Sequence, residues 1–299
     1  MKSMKSLPWP VFIDTDIGDD IDDALALALA VRSPEIHLLG VSTVFGETQK
    51  RARLAAHLLR VYEQSEVPVA AGCAEPLQRR HRSSGVPQAA LLDSRVHYNL
   101  SEQDGPDLLI STAHTHPGQL IVLCLGPLTN IATALQREPG LTNQIARIIL
   151  MGGTSGLPLP EWNVRSDVLA ARQVLTSGIP ITLIGLNITR RCMMSEQDLL
   201  RLRAEQSPRT RLLWQLTSIW QRHRPRWHPA RPYLHDPLTI VALCAPHLFT
   251  FTTLTERIIT QGPLTGLMLP RLFGGPVVRA ATAIQAGAAR SWIMQRLSE

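Results

Sequence analysis

The sequence predicts an α/β fold: an open, mostly parallel, Rossmann-like sheet flanked by helices, with a more helical C-terminal third. Short runs rich in Val, Ile and Leu are bounded by Gly, Pro or Asp, which is typical of strands covered on both faces. Helical patterns alternate with these runs, which favours strand–helix–strand units. Because no linker-like stretch or internal repeat interrupts the pattern, we expect residues 1–299 to form one domain.

The predicted elements follow the chain in alternating order. The predicted strands are Val11–Asp14, His37–Val44, Val67–Ala71, Leu120–Leu125, Ile148–Met151 and Ile181–Leu186. The helices predicted between and after them are Asp22–Arg32, Thr48–Tyr62, Leu128–Gln136, Asp167–Ser177 and Glu196–Arg203. From about Ser207 onward the pattern is more helical, with helices predicted over Arg211–Arg222, Asp236–Cys244 and Ala280–Leu297.

Composition excludes several classes of protein. Apolar residues make up 44% and charged residues 18% of the chain, which favours a packed core over disorder. No apolar stretch is long enough for a spanning helix, and residues 1–10 lack the apolar segment of a secretory signal. The four cysteines are far apart, which excludes a zinc ribbon or a disulfide framework and predicts a reducing cytoplasm.

The net charge of +6 raises the question of an anionic partner. The densest basic segment of the chain combines arginines and histidines with two tryptophans: Trp220, Arg222, His223, Arg224, Arg226, Trp227, His228 and Arg231. One interpretation is a surface for nucleic acid or phosphate. We favour a solvated loop or one that folds over a pocket, so no nucleic-acid or membrane partner is expected.

The most informative segment is acidic and follows the first predicted strand. Six aspartates fall within ten positions: Asp14, Asp16, Asp19, Asp20, Asp22 and Asp23. A helix N-terminus accounts for one or two acids, and carboxylates this close repel one another unless a cation lies between them. Oxygen ligands select a hard ion such as Ca²⁺ or Mg²⁺. We therefore expect a divalent cation beyond the carboxyl end of this strand, where open α/β sheets bind ligands.

Three known motifs do not fit this segment, or fit it poorly. An EF-hand loop starting at Asp14 would need Gly at position 6 and Glu at position 12, where the chain has Asp19 and Leu25. A phosphatase with an aspartyl nucleophile at Asp14 or Asp16 remains an alternative, although Gly18 departs from its pattern. No Gly-rich loop ending in Lys-Ser/Thr is present, which excludes a P-loop.

A fourth pattern fits better, and it extends over nearly the whole chain. Asp14–Gly18 followed by Asp22–Ala24 resembles the N-terminal signature of the nucleoside hydrolases, the inosine–uridine preferring N-ribohydrolases. Further similar segments follow in the family's order: Val44–Thr48, Ala71–Leu77, Leu125–Ala132, Met151–Gly153, Glu161–Asn163 and His235–Pro237. The resemblance implies an open α/β fold and hydrolysis of the N-glycosidic bond of ribonucleosides, giving ribose and free base.

The resemblance also implies a Ca²⁺ site at the bottom of the pocket. Its protein ligands would be Asp16, Asp23, Asp236 and the backbone carbonyl of Thr129. Three carboxylates and a carbonyl leave room in a sphere of six to eight oxygens. A water and the 2′- and 3′-hydroxyls of a ribose would complete it, so ribosides would be preferred over 2′-deoxyribosides.

The remaining site residues are likewise implied by the resemblance. Asp22 would be the general base that activates the attacking water, and His235 would protonate the leaving purine or pyrimidine. The substrate-binding residues would be Asp16, Glu47, Glu161, Asn163 and Asp236. The expected partner is a small-molecule ribonucleoside, and the expected assembly is a homodimer or homotetramer. A nucleoside or pentose binder without turnover is the non-enzymatic alternative.

The chain departs from the family pattern in several places, among them Glu47, which replaces a more usual Asn or Asp. Three residues, Asp19, Asp20 and Ile21, separate Gly18 from the acidic pair, where the common form has one. Asp19–Asp20 as the metal and base pair is therefore the competing alignment to Asp22–Asp23. The segment between Gly153 and Glu161 lacks the asparagine that commonly contacts the ribose 5′-hydroxyl, which leaves that contact and the purine or pyrimidine preference open.

Overall fold

A computed structural model describes residues 7–78, 85–154, 159–204, 207–270 and 274–298. Its strands are β1 (Trp9–Thr15), β2 (Ile36–Thr43), β3 (Val69–Ala71), β4 (Leu120–Cys124), β5 (Ile145–Met151), β6 (Ile181–Ile184), β7 (Phe249–Ile258), β8 (Met268–Pro270) and β9 (Val277–Ile284). Its helices are α1 (Asp22–Val31), α2 (Thr48–Val61), α3 (Gly105–Thr115), α4 (Thr129–Arg137), α5 (Trp162–Ser166), α6 (Val168–Leu175), α7 (Leu186–Thr189), α8 (Glu196–Ala204), α9 (Pro208–His223), α10 (Pro237–Cys244) and α11 (Ala286–Ser298). Short 3₁₀ helices cover Pro87–Leu91, Pro139–Asn143 and Pro246–Leu248.

The strands form one sheet in the order β3-β2-β1-β4-β5-β6-β9-β7-β8. Pairing is parallel from β3 through β9, and only the pairs that include β7 are antiparallel. The strand order reverses beside β1, because the chain adds β2 and β3 on one side and β4 on the other. Ligands of open α/β sheets bind at such a point, beyond the carboxyl ends of the strands.

Both faces of the sheet are covered, so side chains of each central strand enter two different cores. In β1, Val11 and Ile13 pack into one core, with side chains of α1, α2, α8, α9, α10 and α11. Phe12 points to the opposite face, into the core formed with α3, α4, α5 and α6. Burial on both faces explains why these strands appear in the sequence as uninterrupted apolar runs.

The predicted α/β fold is confirmed, and the six predicted strands match β1–β6 within three residues at each end. The prediction was wrong at Ala280, because the helix expected from there begins only at Ala286 and Ala280–Ile284 belong to β9. Alanine favours helices locally, but β9 lies between β6 and β7, and its alanines Ala280 and Ala281 are buried there. Helix α3 and strands β7 and β8 were not predicted.

Helix length and composition also bear on membranes. Within the described ranges, no helix is both long and apolar enough to cross a bilayer.

Candidate active site

A cavity of about 750 Å³ opens at the carboxyl edge of the sheet. Its acidic wall contains Asp16, Asp19, Asp20, Asp22, Asp23, Glu47, Glu161 and Asp236. The cavity is also lined by Trp220, His223, Arg224, Pro225, His228 and His235. Most of the residues that the sequence analysis selected therefore face one space, and a cavity of this size holds a small molecule.

Two carboxylates of the acidic segment lie in the first turn of α1. Asp22 and Asp23 are buried, and neither caps the helix, because the N-cap is Ile21 and no side chain accepts a capping hydrogen bond there. The hydroxyl of Thr15 donates to Asp23 Oδ1 over 2.5 Å. These acids are therefore not explained by the ordinary preference for acidic residues at a helix start.

Asp236 joins this pair from the far end of the chain. Helix α10 packs against α1, which places Asp236, the residue just before α10, beside the first turn of α1. Carboxylate oxygens of Asp22, Asp23 and Asp236 all lie within 4.8 Å of one another, and all three residues are buried. Of the two candidate acidic pairs, it is therefore Asp22–Asp23 that lies beside Asp236. The Asp19 carboxylate of the competing pair lies 3.2 Å from the Arg51 guanidinium instead.

The electrostatics of this cluster favour a bound cation. Burial is the main cause that raises the pKa values of Asp22 and Asp236 well above the ordinary range, and their neighbouring carboxylates raise them further. Burial likewise raises the pKa of Asp23 to about 6. Since a divalent cation would offset both the desolvation and the repulsion, these oxygens can hold a hard metal ion.

Asp16 also lines the cavity, and its position depends on a glycine of the β4–α4 loop. A Cβ atom at Gly126 would lie 2.8 Å from Asp16 Oδ1 and 3.0 Å from Asp16 N. Only glycine therefore allows this loop to pack against Asp16. Burial, and then the charge of Asp23, raise the pKa of Asp16 well above its ordinary range.

Asp14 lies behind the cavity rather than in it. Its buried Oδ1 accepts hydrogen bonds from Ser42 Oγ and Asn130 Nδ2 over 2.5 and 2.7 Å, and burial raises its pKa to about 7. Asp14 is not among the described residues that line the cavity. This position is unsuited to the aspartyl nucleophile of the phosphatase alternative.

Thr129, the predicted carbonyl ligand, is buried at the start of α4. Its hydroxyl donates to Asp167 Oδ2 over 2.8 Å. Among the described residues, those that line the cavity do not include Thr129. Its role as a metal ligand stays a prediction.

Glu161 and Asn163 line the cavity and also hold its floor together. Glu161 caps α5, accepting hydrogen bonds from Asn163 N over 2.8 Å and from Val164 N and Gly153 N over 3.0 and 3.1 Å. Burial raises its pKa in spite of these donors. Asn163 Nδ2 donates to the carbonyl oxygens of Leu125 and Met151. Both side chains are thus fixed at the ends of β4 and β5.

Glu47 lines the cavity from the β2–α2 turn and is more exposed than the carboxylates of the cluster. It forms an ion pair with Lys50, one turn further along α2. It lies outside the cluster of Asp22, Asp23 and Asp236.

His235 faces the cavity beside Asp236. Its Nδ1 lies 2.6 Å from Thr189 Oγ1, and its ring lies 5.3 Å from that of Tyr233. Burial, and then the positive charges of His228 and Arg190, lower the pKa of His235 to about 3. The imidazole is therefore neutral at pH 7 and carries one ring hydrogen.

The basic segment that begins at Trp220 folds over the pocket. Trp220, His223, Arg224 and His228 line the cavity, and the His228 ring makes an edge contact with Trp220 at 5.8 Å. Two tryptophans that could stack on a base, Trp162 and Trp220, line the cavity. Tyr233 packs against His235 behind that wall, and Trp227 is 84% exposed. The segment between Gly153 and Glu161 lacks the family's asparagine, and its residues 155–158 lie outside the described residues.

Sequence reasoning missed Arg51, whose side chain is fully buried beside the acidic segment. A signal was available in the sequence. Arg51 lies on the same face of α2 as Leu54, Leu58 and Leu59, and these residues form the buried stripe of the helix. An arginine on such a stripe needs partners inside the protein.

Comparison with known proteins places this geometry in a family. The model of a family described as inosine-uridine preferring nucleoside hydrolase matches residues 11–289. The chain is 32% identical to the probable uridine nucleosidase 2 of Arabidopsis thaliana, with 97% of each chain covered. It is also 32% identical to the pyrimidine-specific ribonucleoside hydrolase RihA of Salmonella paratyphi A, with 86% of each covered.

Solved structures agree with this result. The plant nucleoside hydrolase PpNRh1 superposes with a TM-score of 0.88 at 28% identity, covering 97% of this chain and 99% of that one. A purine-preferring ribonucleoside hydrolase from Gardnerella vaginalis shares the fold, with a TM-score of 0.85 at 23% identity and coverage of 97% and 98%.

Proposed function

Because the chain belongs to the inosine–uridine preferring nucleoside hydrolase family, whose members cleave N-glycosidic bonds, we propose that it hydrolyses ribonucleosides to ribose and free base in a Ca²⁺-dependent reaction. The observation that carries this proposal is the meeting of Asp22, Asp23 and Asp236 within 4.8 Å in the cavity. A cluster of buried carboxylates at the carboxyl edge of the sheet suits a cation that a sugar diol can share.

Asp16, Asp23, Asp236 and the Thr129 carbonyl are the proposed protein ligands. All are oxygen donors, which Ca²⁺ prefers, and a coordination number of six to eight leaves positions for the substrate. When bound, the ion would orient the 2′- and 3′-hydroxyls of the ribose and bring a water near the anomeric carbon. Nitrogen or sulfur donors, which softer metals favour, do not contribute to the described cluster.

Asp22 is proposed as the general base. It lies beside the proposed ligands in the cavity wall, where its carboxylate can accept a proton from a water in the cavity. Asp22 would take a proton from the attacking water while the water oxygen bonds to the anomeric carbon and the bond to the base nitrogen breaks. The carboxylates nearby would stabilise the positive charge that develops on the sugar ring.

His235 is proposed as the residue that assists the leaving base: it donates a hydrogen bond to a base nitrogen, and the proton that the base finally takes up comes from solvent. If the Thr189 hydroxyl donates to Nδ1, the single ring hydrogen of the neutral imidazole lies on Nε2, where it is available to a base nitrogen. Glu47, Glu161 and Asn163 are proposed to contact ribose hydroxyls. The uridine and pyrimidine specificities named in the curated relatives favour uridine over inosine as substrate.

Further parts of the proposal concern the whole protein. We propose that residues 1–299 act as one domain and that the protein works in a reducing cytoplasm, which fits its four free cysteines. A homodimer or homotetramer stays a prediction of the family resemblance. Light scattering of the purified protein would measure the oligomeric state.

The test is sugar release by the purified protein. After removal of metal with a chelator, we expect no free ribose from uridine or inosine, and we expect activity to return when Ca²⁺ is added. 2′-Deoxyuridine serves as the matched substrate, and it should be cleaved at least tenfold more slowly. Absence of sugar release with Ca²⁺ present, together with binding of uridine in calorimetry, would instead favour a binder without turnover.

A further inference from the structure

Arg51 is a fully buried cation whose hydrogen bonds join two loops at the carboxyl edge of the sheet. Its Nε donates to the carbonyl oxygen of Phe45 over 2.8 Å. Its Nη1 donates to the carbonyl oxygens of Asp16 and Ile17, the latter over 2.9 Å. Its Nη2 donates to Asp19 Oδ2 over 3.2 Å. One planar guanidinium thus contacts four oxygens from two loops.

The first of these loops is the acidic turn that leads from β1 into α1. Asp16 and Ile17 open the turn, and Asp19 lies at its middle, three residues before Asp22. With no side-chain cap at the start of α1, the path of this turn is determined by other contacts. Gln88 supplies two, since its Nε2 donates to the Asp20 carbonyl over 2.7 Å and its amide to the Gly18 carbonyl over 3.2 Å, and Arg51 supplies three.

The second loop leads from β2 into α2. Phe45 has a φ of +71°, a left-handed conformation that is unfavourable for a bulky residue. The Phe45 carbonyl accepts from Arg51 Nε, and its amide donates to the Cys73 carbonyl over 2.9 Å. Strained backbone of this kind persists where surrounding contacts hold it in place.

The charge of Arg51 also acts on the cluster. It lowers the pKa values of Asp16 and Asp23, against the larger effect of burial. The same charge would repel an incoming cation, so Arg51 can affect metal binding in two opposite ways. Loss of the side chain would leave three backbone carbonyls without this donor, and buried polar groups without partners are costly.

We propose that Arg51 is a positioning residue of the metal site, which holds the backbone of Asp16 and of the acidic turn in a geometry ready for the ion. Asp19 serves as its counter-ion rather than as a metal ligand. The inference rests on the metal site of the proposed function and adds a residue to it. Preorganisation outweighs charge repulsion because the repulsion is partly cancelled by Asp19, whereas no other described side chain donates to the Asp16 and Ile17 carbonyls.

Lysine cannot replace this function fully. A lysine retains the positive charge, but its compact ammonium cannot reproduce the planar fork that reaches several separated acceptors. The Arg51→Lys variant therefore separates the effect of charge from that of geometry, and Arg51→Met removes both.

The experiment is calorimetric titration of the metal-free protein with CaCl₂. We expect Arg51→Met to bind Ca²⁺ at least tenfold more weakly than the wild type, and Arg51→Lys at least threefold more weakly. Arg53→Met is the matched control, because Arg53 is on the same helix but lies over the Tyr98 ring, away from the acidic turn. It should bind Ca²⁺ within twofold of the wild type. Circular dichroism at the titration temperature verifies that each variant is folded.

Each outcome decides the inference. Unchanged or tighter Ca²⁺ binding by folded Arg51→Met would overturn it, and wild-type affinity in Arg51→Lys would show that charge alone suffices. If Arg51→Met does not fold, the Arg51→Lys result decides. A wild-type chain that binds no Ca²⁺ would overturn the metal site itself, whereas a wild type that binds Ca²⁺ but releases no ribose would overturn only the proposed reaction.

Discussion

The backbone amide of Asp236 lies 3.4 Å from Asp22 Oδ2, although 214 positions separate the two residues along the chain. The contact joins the starts of α10 and α1. Both helices direct the positive ends of their dipoles at the same point, which stabilises negative side chains there. It lies at the centre of the candidate site.

Replacing Asp22 or Asp236 by asparagine is expected to change different kinetic properties. Asp22→Asn should lower kcat by about 10²–10⁴-fold at saturating Ca²⁺, because it removes the general base. Asp236→Asn should raise the Ca²⁺ concentration needed for half-maximal activity at least tenfold, because it removes a ligand. Steady-state assays across a Ca²⁺ titration measure both effects.

Asp93→Asn is the control for this pair, since Asp93 pairs with Arg95 in an exposed turn away from the cavity. Recovery of Asp22→Asn activity by added Ca²⁺ would contradict the assignment and identify Asp22 as a ligand.

His235→Ala is expected to affect the leaving group rather than the sugar. It should lower kcat on uridine by about 10²–10⁴-fold and have less than a tenfold effect on a p-nitrophenyl riboside, whose leaving group needs no proton. Thr189→Val, which removes the hydroxyl near Nδ1, should cause a smaller loss with the same substrate dependence. Equal losses on both substrates would argue that His235 acts on the sugar or the metal instead.

Gly126→Ala is expected to disturb Asp16 through a single methyl group. The added Cβ would lie 2.8 Å from both Asp16 Oδ1 and Val44 Cγ1, and forcing such a contact apart costs about 1–3 kcal/mol. We expect weaker Ca²⁺ binding and a lower free energy of unfolding in urea. Gly287→Ala is the control, because a Cβ there meets nothing within 4 Å. Wild-type Ca²⁺ affinity in Gly126→Ala would show that Asp16 is not a ligand.

The ion pair between Glu35 and Arg296 is expected to stabilise the fold in a way that is lost in acid. Arg296 on α11 donates to both Glu35 carboxylate oxygens over 2.6 and 2.7 Å, and this lowers the pKa of Glu35. The stabilisation is therefore present above the ordinary glutamate pKa and is lost as the pH falls through the lowered value. Because the pair is partly exposed, Glu35→Gln should cost about 1 kcal/mol at pH 7.

Urea unfolding at pH 7 and in acid tests this contribution. The difference between wild type and Glu35→Gln should shrink as the pH falls. Glu63→Gln is the control, because its carboxylate is 81% exposed in its pair with Arg209, and it should have a smaller effect. A Glu35→Gln difference that is independent of pH would show that the carboxylate charge is not its source.

Much of the fold could be predicted because its local signals agree with its tertiary structure. Buried parallel strands such as β4 are apolar throughout, and their helices start beside Gly, Pro or Asp. The strands β7 and β9 were missed because their stability comes from pairing with each other, which is not visible in local propensity. Ala280 and Ala281 favour a helix by themselves, and the sheet overrides that preference.

The sequence by itself determined that acidic residues follow the first strand in an excess that helix capping does not explain, and that their pattern resembles one family. It left open which acidic pair faces the cavity. Only the tertiary structure brought Asp22 and Asp23 to Asp236 and placed Asp19 against Arg51. The physical reason is that spacing along the chain constrains neighbours within a turn or helix, whereas contacts between distant residues depend on how helices pack on the sheet.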